Sequence, residues 1–333
     1  MFIKIVIFIR RNLVNMTKLF SICACILLCA TAAYGQQDPQ FSQYMFNSLY
    51  YNPAVAGANG LTTLTAIHRS QYAGYSATLD DGGAPNTQVV SFSTPLLRAS
   101  SGIGLYIVND RLGPLNNLEA QVSYAYHLAV AEDAKLSFGV RLGIYSQSVN
   151  DDEYRWIDPA DPLNVFGGDA QVRPDLALGV HYQANNYRFG VGVNHILETE
   201  FDFGNDPTRN PLVRHMYVTG AYDYAINYNL TLTPSFIVKV SDFNSLSFDV
   251  NVMGTYKERM WAGISFRQSD AMVGMLGYSF LKDNALKLGY AFDYIIKAQD
   301  VKEPTSHEVM LSYTLPVPSV GGRKIIRTPR FRH

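Results

Sequence analysis

From about residue 61 onward the chain alternates apolar and polar residues with a period of two, in segment after segment of roughly ten residues. In an extended strand successive side chains point to opposite faces, so each such segment carries one greasy side and one polar side. Between Ala134 and Asn150, for example, Leu136, Phe138, Val140, Leu142 and Ile144 fall on one face, and Lys135, Ser137, Gly139, Arg141 and Gly143 on the other. The same division separates Phe189, Val191 and Val193 from Arg188, Gly190, Gly192 and Asn194. It separates Leu246, Phe248, Val250 and Val252 from Ser247, Asp249 and Asn251. About fourteen such segments can be traced, an even number of the kind a bacterial outer-membrane barrel requires. They start near Leu61, Thr87, Gly102, Leu118, Ala134, Asp175, Tyr187, Val213, Leu230, Ser245, Met260, Ala271, Ala285 and His307.

The connections point the same way. Every second one is short: Ala184-Asn185-Asn186, Asn227-Tyr228-Asn229, Lys257-Glu258-Arg259 and Lys282-Asp283-Asn284. Most of the others are long, as in Tyr72–Asn86, Asp151–Pro174, Leu197–Pro211 and Ala298–Ser306, although Asp242-Phe243-Asn244 and Gln268-Ser269-Asp270 are short as well. Outer-membrane barrels have short periplasmic turns and longer external loops, whereas a soluble sandwich has no reason to sort loop length by parity. The expected fold is therefore all-β: a transmembrane, antiparallel, up-and-down β-barrel of about fourteen strands. Pro234 lies inside the segment starting at Leu230 and removes a ladder donor, which predicts a bulge or kink there.

Composition narrows the function classes. With 47% hydrophobic residues, 17% charged residues and a net charge of −1, the chain is neither disordered nor a nucleic-acid binder driven by global charge. Tyr is abundant, 22 against 2 Trp, and its apolar body with a polar tip suits a membrane–water interface. After about residue 35 no apolar run reaches the ~18 residues of a spanning helix.

Residues 1–35 are expected to be an export signal. Lys18 supplies the positive start, Leu19–Ala32 the apolar run, and Ala33-Tyr34-Gly35 the small residues for cleavage before Gln36. Met16 offers an alternative start. Arg10-Arg11 resembles a twin-arginine signal, but a barrel must cross the inner membrane unfolded. Ile22-Cys23-Ala24-Cys25 offers a competing lipobox reading. Cys23, Cys25 and Cys29 all lie in this segment, so a chain cleaved before Gln36 has no disulfide and no thiolate metal site. Residues 36–60 form an aromatic, Asn-rich stretch with a turn at Asn52-Pro53 and Gly57, expected inside or beneath the barrel as a periplasmic or plug segment. Its candidate lumen contacts are Phe41, Tyr44, Phe46, Tyr50, Tyr51, Asn52 and Pro53. Glycines on the polar strand faces, Gly139, Gly143, Gly190, Gly192, Gly263 and Gly289 among them, would make room for such a plug or let the strands curve. The barrel is expected over 61–316. A basic tail over 317–333, with Arg323, Lys324, Arg327, Arg330 and Arg332, would face the periplasm and suits an acidic partner or cell-wall polymer.

Catalysis finds little support. His68, His127, His181, His195, His215 and His307 are scattered over strands and strand ends with no metal-binding spacing, so each reads as a lumen residue. Ser123 and His127 share a strand face without an orienting partner, and no nucleotide-binding or hydrolase motif is present. The acidic loop with Asp151, Asp152, Glu153, Asp158, Asp161 and Asp169 fits no EF-hand spacing. No enzyme activity, cofactor or metal is expected.

The opening stretch Asp38-Pro39-Gln40-Phe41-Ser42-Gln43-Tyr44, through Asn52-Pro53-Ala54-Val55-Ala56-Gly57, closely resembles the PorP/SprF family of Bacteroidetes outer-membrane proteins. Asn109–Pro114 resembles the family's loop after the third strand. Ser123–His127, Leu136–Val140, Arg173–Asp175 through Gly190–Gly192, and His307–Val309 agree with it as well. The resemblance implies a non-enzymatic component of type IX secretion and, in some species, gliding motility. Such a component would sit in outer-membrane lipids and meet periplasmic secretion-system or peptidoglycan-binding proteins, or a large surface adhesin. The alternative that the barrel pattern leaves open is transport of hydrophobic or small solutes.

Overall fold

The computed structural model describes residues 38–75, 83–96, 98–150, 170–202, 210–243, 245–268, 270–296 and 303–315. The strands follow one another around a single sheet: β1 Thr63–Ser70, β2 Asn86–Leu96, β3 Ser101–Leu112, β4 Leu115–Ala131, β5 Ala134–Val149, β6 Gln171–Gln183 and β7 Tyr187–Asn194. Next come β8 His215–Tyr222 (continued by Tyr224–Asn227), β9 Leu230–Ser241, β10 Ser245–Tyr256, β11 Met260–Arg267, β12 Ala271–Phe280, β13 Leu286–Ile295 and β14 Thr305–Thr314. Each pairs antiparallel with its sequence neighbours, and β1 pairs with β14 from Thr63↔Thr314 to Ser70↔His307, so the fourteen strands close into a barrel. Closure satisfies every strand edge, a requirement for a sheet in hydrocarbon.

The greasy face points outward. Leu142 is 60% exposed while its neighbour Arg141 is 0% exposed, and the same inversion of a soluble core recurs strand after strand. Tyr126, Tyr187, Tyr222, Tyr224, Tyr256, Tyr278 and Tyr313 are exposed near the short-turn end, where an interfacial aromatic girdle belongs. That end is taken as periplasmic.

Two expectations need correcting. Asn109–Leu112 is not a loop: the ladder between β3 and β4 runs on to Leu112↔Leu115, leaving only Gly113-Pro114 as a turn. Asp110 reads as loop-forming, but its side chain points inward and accepts a 2.6 Å hydrogen bond from Thr87 Oγ1. Nor does Pro234 break its own strand, because β9 pairs with β10 without interruption through Pro234↔Val252. The missing N–H is felt on the other side. There β8 is interrupted at Asp223, whose carboxylate accepts from Thr233 Oγ1 at 2.8 Å.

Ahead of β1, the segment from Asp38 to Gly60 runs through the barrel interior. Asp38–Gln43 lies among residues at the long-loop end of the strands, and Asn52–Gly57 among residues nearer the short-turn end. It folds as three single turns: 3₁₀ at Tyr44–Phe46, α at Ser48–Tyr51 and 3₁₀ at Pro53–Val55. Asn52 caps the last turn, its Oδ1 accepting from the Ala54 N–H at 2.9 Å, with Pro53 in the first position, where its missing N–H costs nothing.

Candidate functional site

The interior wall and the N-terminal segment form one polar, tightly filled site. Its lower part is made by the absence of side chains. A Cβ built on Gly102 of β3 would strike the Ala56 carbonyl, on Gly139 of β5 the backbone of Pro53 and Ala54, on Gly179 of β6 the Asn52 side chain, and on Gly192 of β7 the Tyr51 carbonyl. By contrast, Cβ atoms on Gly143 and Gly263 would meet atoms of the barrel wall itself. Hydrogen bonds then fix the position. Asn52 Nδ2 donates to the Val180 carbonyl at 2.9 Å, and the Gly57 N–H donates to Ser93 Oγ at 2.8 Å. Arg141 Nη1 donates to the Tyr50 carbonyl at 2.8 Å, and Asn194 Nδ2 donates to the same carbonyl at 3.2 Å.

Toward the long-loop end the segment is held by charge. Glu308 of β14 accepts from the Ser42 N–H at 2.7 Å and the Gln43 N–H at 2.8 Å, while Ser42 Oγ donates to Asp293 of β13 at 2.7 Å. Arg69 of β1 donates to Ser42 Oγ at 2.6 Å and to Asp293 at 2.8 Å, and lies 3.3 Å from Glu308. Arg267 of β11 joins Asp293 at 3.3 Å to Asp249 of β10 at 3.1 Å. Lys239 of β9 completes the chain, 3.1 Å from Asp249 and donating to Gln40 Oε1 at 3.0 Å. All of these charged side chains are buried. Buried charges persist only when paired; here each is paired across strands, and all but Asp249 also bond the segment directly.

Between these two regions lies an aromatic core. Tyr50 stands edge-on to Phe41 and Tyr51, with ring centroids 5.4 and 5.1 Å apart, and packs on Tyr106, over which Arg141 sits at 4.9 Å. Burial pushes the Tyr44, Tyr50 and Tyr51 hydroxyls well above the usual phenol range, so they stay neutral, and Tyr51 Oη accepts from the Phe41 N–H at 3.4 Å. Tyr44 shares a 2.9 Å hydrogen bond with Ser235. Asp38 lies beside His195, just past β7, at 2.9 Å and accepts from the Tyr217 hydroxyl; His215 is 3.7 Å away. Burial by itself would raise the Asp38 carboxyl; the charges of His215 and His195, with the hydrogen bonds from His195 and Tyr217, outweigh it and hold the group below the usual carboxylate range.

Of the residues singled out in the sequence, Phe41, Tyr44, Tyr50, Tyr51, Asn52 and Pro53 are buried in this interior, and Phe46 is half-buried against Trp261 with centroids 5.3 Å apart. Arg323, Lys324, Arg327, Arg330 and Arg332 lie outside the described residues, as do the signal segment and the acidic loop from Asp151 to Asp169. The sequence reading missed the charged network and the cluster of Asp38, His195 and His215. The absence of a local metal spacing was no guide there, because the three come from chain segments far apart. Their shared signal is position: the network residues alternate inward on strands, and both histidines flank strand ends on the same rim.

A closed, fourteen-stranded barrel with an apolar exterior, a charged interior and an aromatic girdle is an outer-membrane β-barrel protein. Similar folds include a Pseudomonas aeruginosa FadL homologue, with 14% identity, TM-score 0.46, and coverage of 84% of this chain and 95% of that one. The Ralstonia pickettii toluene transporter TbuX matches with 13% identity, TM-score 0.48, and coverage of 80% and 92%. The CymD monoaromatic hydrocarbon channel matches with 15% identity, TM-score 0.48, and coverage of 84% and 94%. No curated protein matches the sequence. The family of type IX secretion system membrane proteins PorP/SprF matches residues 33–313, and the chain belongs to it. It is an outer-membrane component of that secretion system.

Proposed function

We propose that this protein serves type IX secretion as a sealed, non-enzymatic docking barrel, with the segment Asp38–Gly60 as a built-in plug. The observation that supports this is the filled interior. The segment hydrogen-bonds to β1, β2, β5, β6, β7, β8, β9, β11, β13 and β14, so it braces the barrel from within. A barrel braced in this way offers its ends, rather than its lumen, to other molecules. The short-turn end presents charged turns such as Lys257-Glu258-Arg259, and β14 ends there at Thr314, from which we infer a periplasmic basic tail with Arg323, Lys324, Arg327, Arg330 and Arg332. Family membership supports the class of partner: periplasmic secretion-system or peptidoglycan-binding proteins, or a large surface adhesin held for export and anchoring.

The test is affinity purification from outer membranes in mild detergent, with mass spectrometry of the co-purifying proteins. Recovery of periplasmic ring, peptidoglycan-binding or adhesin proteins, lost when residues 317–333 are removed, is the expected result. A barrel that purifies alone, from a strain whose deletion mutant secretes and anchors its cargo normally, would contradict the proposal.

A further inference from the structure

The polar groups around Asp38 form an arrangement that docking does not use. We propose that Asp38, His195 and His215 bind a divalent transition-metal ion, Zn²⁺ being the simplest occupant, which fastens the start of the N-terminal segment to the barrel wall. All three residues are buried, and each offers one ligand atom within 4.8 Å of the others. Asp38 Oδ1 is 2.9 Å from His195 Nε2. Donors around tetrahedral zinc, at roughly 2.0–2.2 Å from the ion, stand about 3.3 Å apart, close to that separation and within the 4.8 Å that bounds the three ligand atoms.

The groups behind the histidines strengthen the case. A metal-bound histidine characteristically directs its second nitrogen to a carboxylate or a carbonyl. His195 Nδ1 lies 3.2 Å from Asp175 Oδ1, and Asp175 is itself held by Gln121 Nε2 at 2.9 Å. His215 Nδ1 lies 2.9 Å from the Val213 carbonyl, which leaves Nε2 buried without a hydrogen-bond partner. A cavity of about 10 Å³ beside Asp38, His215 and Tyr217 has room for one water as a fourth ligand. Lys239 also borders it, but its ammonium is already committed to Asp249 and Gln40 and does not compete for Asp38. Two imidazoles and a carboxylate, with no thiolate, suit zinc and its first-row neighbours better than copper(I), magnesium or calcium. The ligands come from the N-terminal segment, the end of β7 and the start of β8, and Tyr145, Phe201 and Leu212 pack together beside His195. A closed site of this kind is structural, and it stands independently of the secretion role.

The experiment uses the full chain purified in detergent, stripped with chelator and titrated with Zn²⁺, with Co²⁺ as the visible-absorption probe. The expected result is one ion per chain, tetrahedral Co²⁺ bands, and a rise in thermal midpoint on adding Zn²⁺. Asp38→Ala, His195→Ala and His215→Ala should each abolish all three. Asp175→Asn should weaken affinity by about 10–100-fold without abolishing it, and His181→Ala, a buried imidazole elsewhere on the wall, should leave binding unchanged. Heat-modifiable gel migration verifies that each variant has folded, and Asp38→Ala, which alters no strand, keeps the test open if a histidine variant does not fold. Absence of stoichiometric uptake by the wild type, or uptake unchanged in Asp38→Ala, would overturn the proposal.

Discussion

The N-terminal segment meets the barrel in two unlike ways. At Phe41–Gln43 it is gripped by Arg69, Arg267, Asp293 and Glu308, every one needed to balance another. At Tyr51–Gly57 it rests on strand positions that have no side chain at all, with glycines on β3, β5 and β7 letting two backbones touch and Gly179 on β6 receiving the Asn52 side chain. The first attachment depends on mutual compensation among charges and the second on space. They should therefore fail differently: losing a charge leaves its partner buried and unpaired, while gaining a methyl group pushes the segment away without leaving any charge behind.

The largest effect is expected at the charged end. Arg69→Met leaves Asp293 and Glu308 short of a partner and should cost about 3–5 kcal/mol in urea unfolding of the detergent-solubilised barrel. A cost below that range would mean water already reaches this end. At the glycine end, Gly139→Val drives a branched side chain into Pro53 and Ala54 and should cost about 1–3 kcal/mol. Unlike Arg69→Met, it should do so mainly by freeing the segment, detected as new protease cleavage between Asp38 and Gly60 in an otherwise intact barrel. Combining the two substitutions sharpens the comparison. If the ends act independently, their costs add within about 0.5 kcal/mol, and a larger shortfall would reveal that releasing one end already releases the other. The smallest effect belongs to Gly254→Ala, on a wall position whose added Cβ meets only the Ala262 carbonyl at 3.9 Å; it should stay within about 0.5 kcal/mol.

The same contrast separates what the sequence made legible from what it did not. The exterior is a local property, since a lipid-facing side chain recurs every second residue whatever its neighbours are. The strands expected from Ala134, Tyr187, Leu230, Ser245, Met260 and Ala271 begin at those residues, and their even total lets β14 return antiparallel to β1, as the closing pair is. Misplaced boundaries lie where lumen-facing polar residues resemble loop residues, as at Asn109–Leu112. The interior is not local. Ser42 meets Glu308 across 266 positions and Asp38 meets His195 across 157, distances over which no spacing rule operates. The inward glycines were visible as an oddity, but only the folded chain distinguishes Gly139 and Gly192, which receive the segment, from Gly143 and Gly263, which do not.

The central claim, that the segment seals the barrel, is tested most directly by conductance in planar lipid bilayers. Full-length protein should insert without opening ion-conducting steps at neutral pH, whereas a variant lacking Asp38–Gly60 should open discrete ones. Steady conductance through the intact protein, equal to that of the deletion variant, would contradict the account and return the barrel to the class of open transporters.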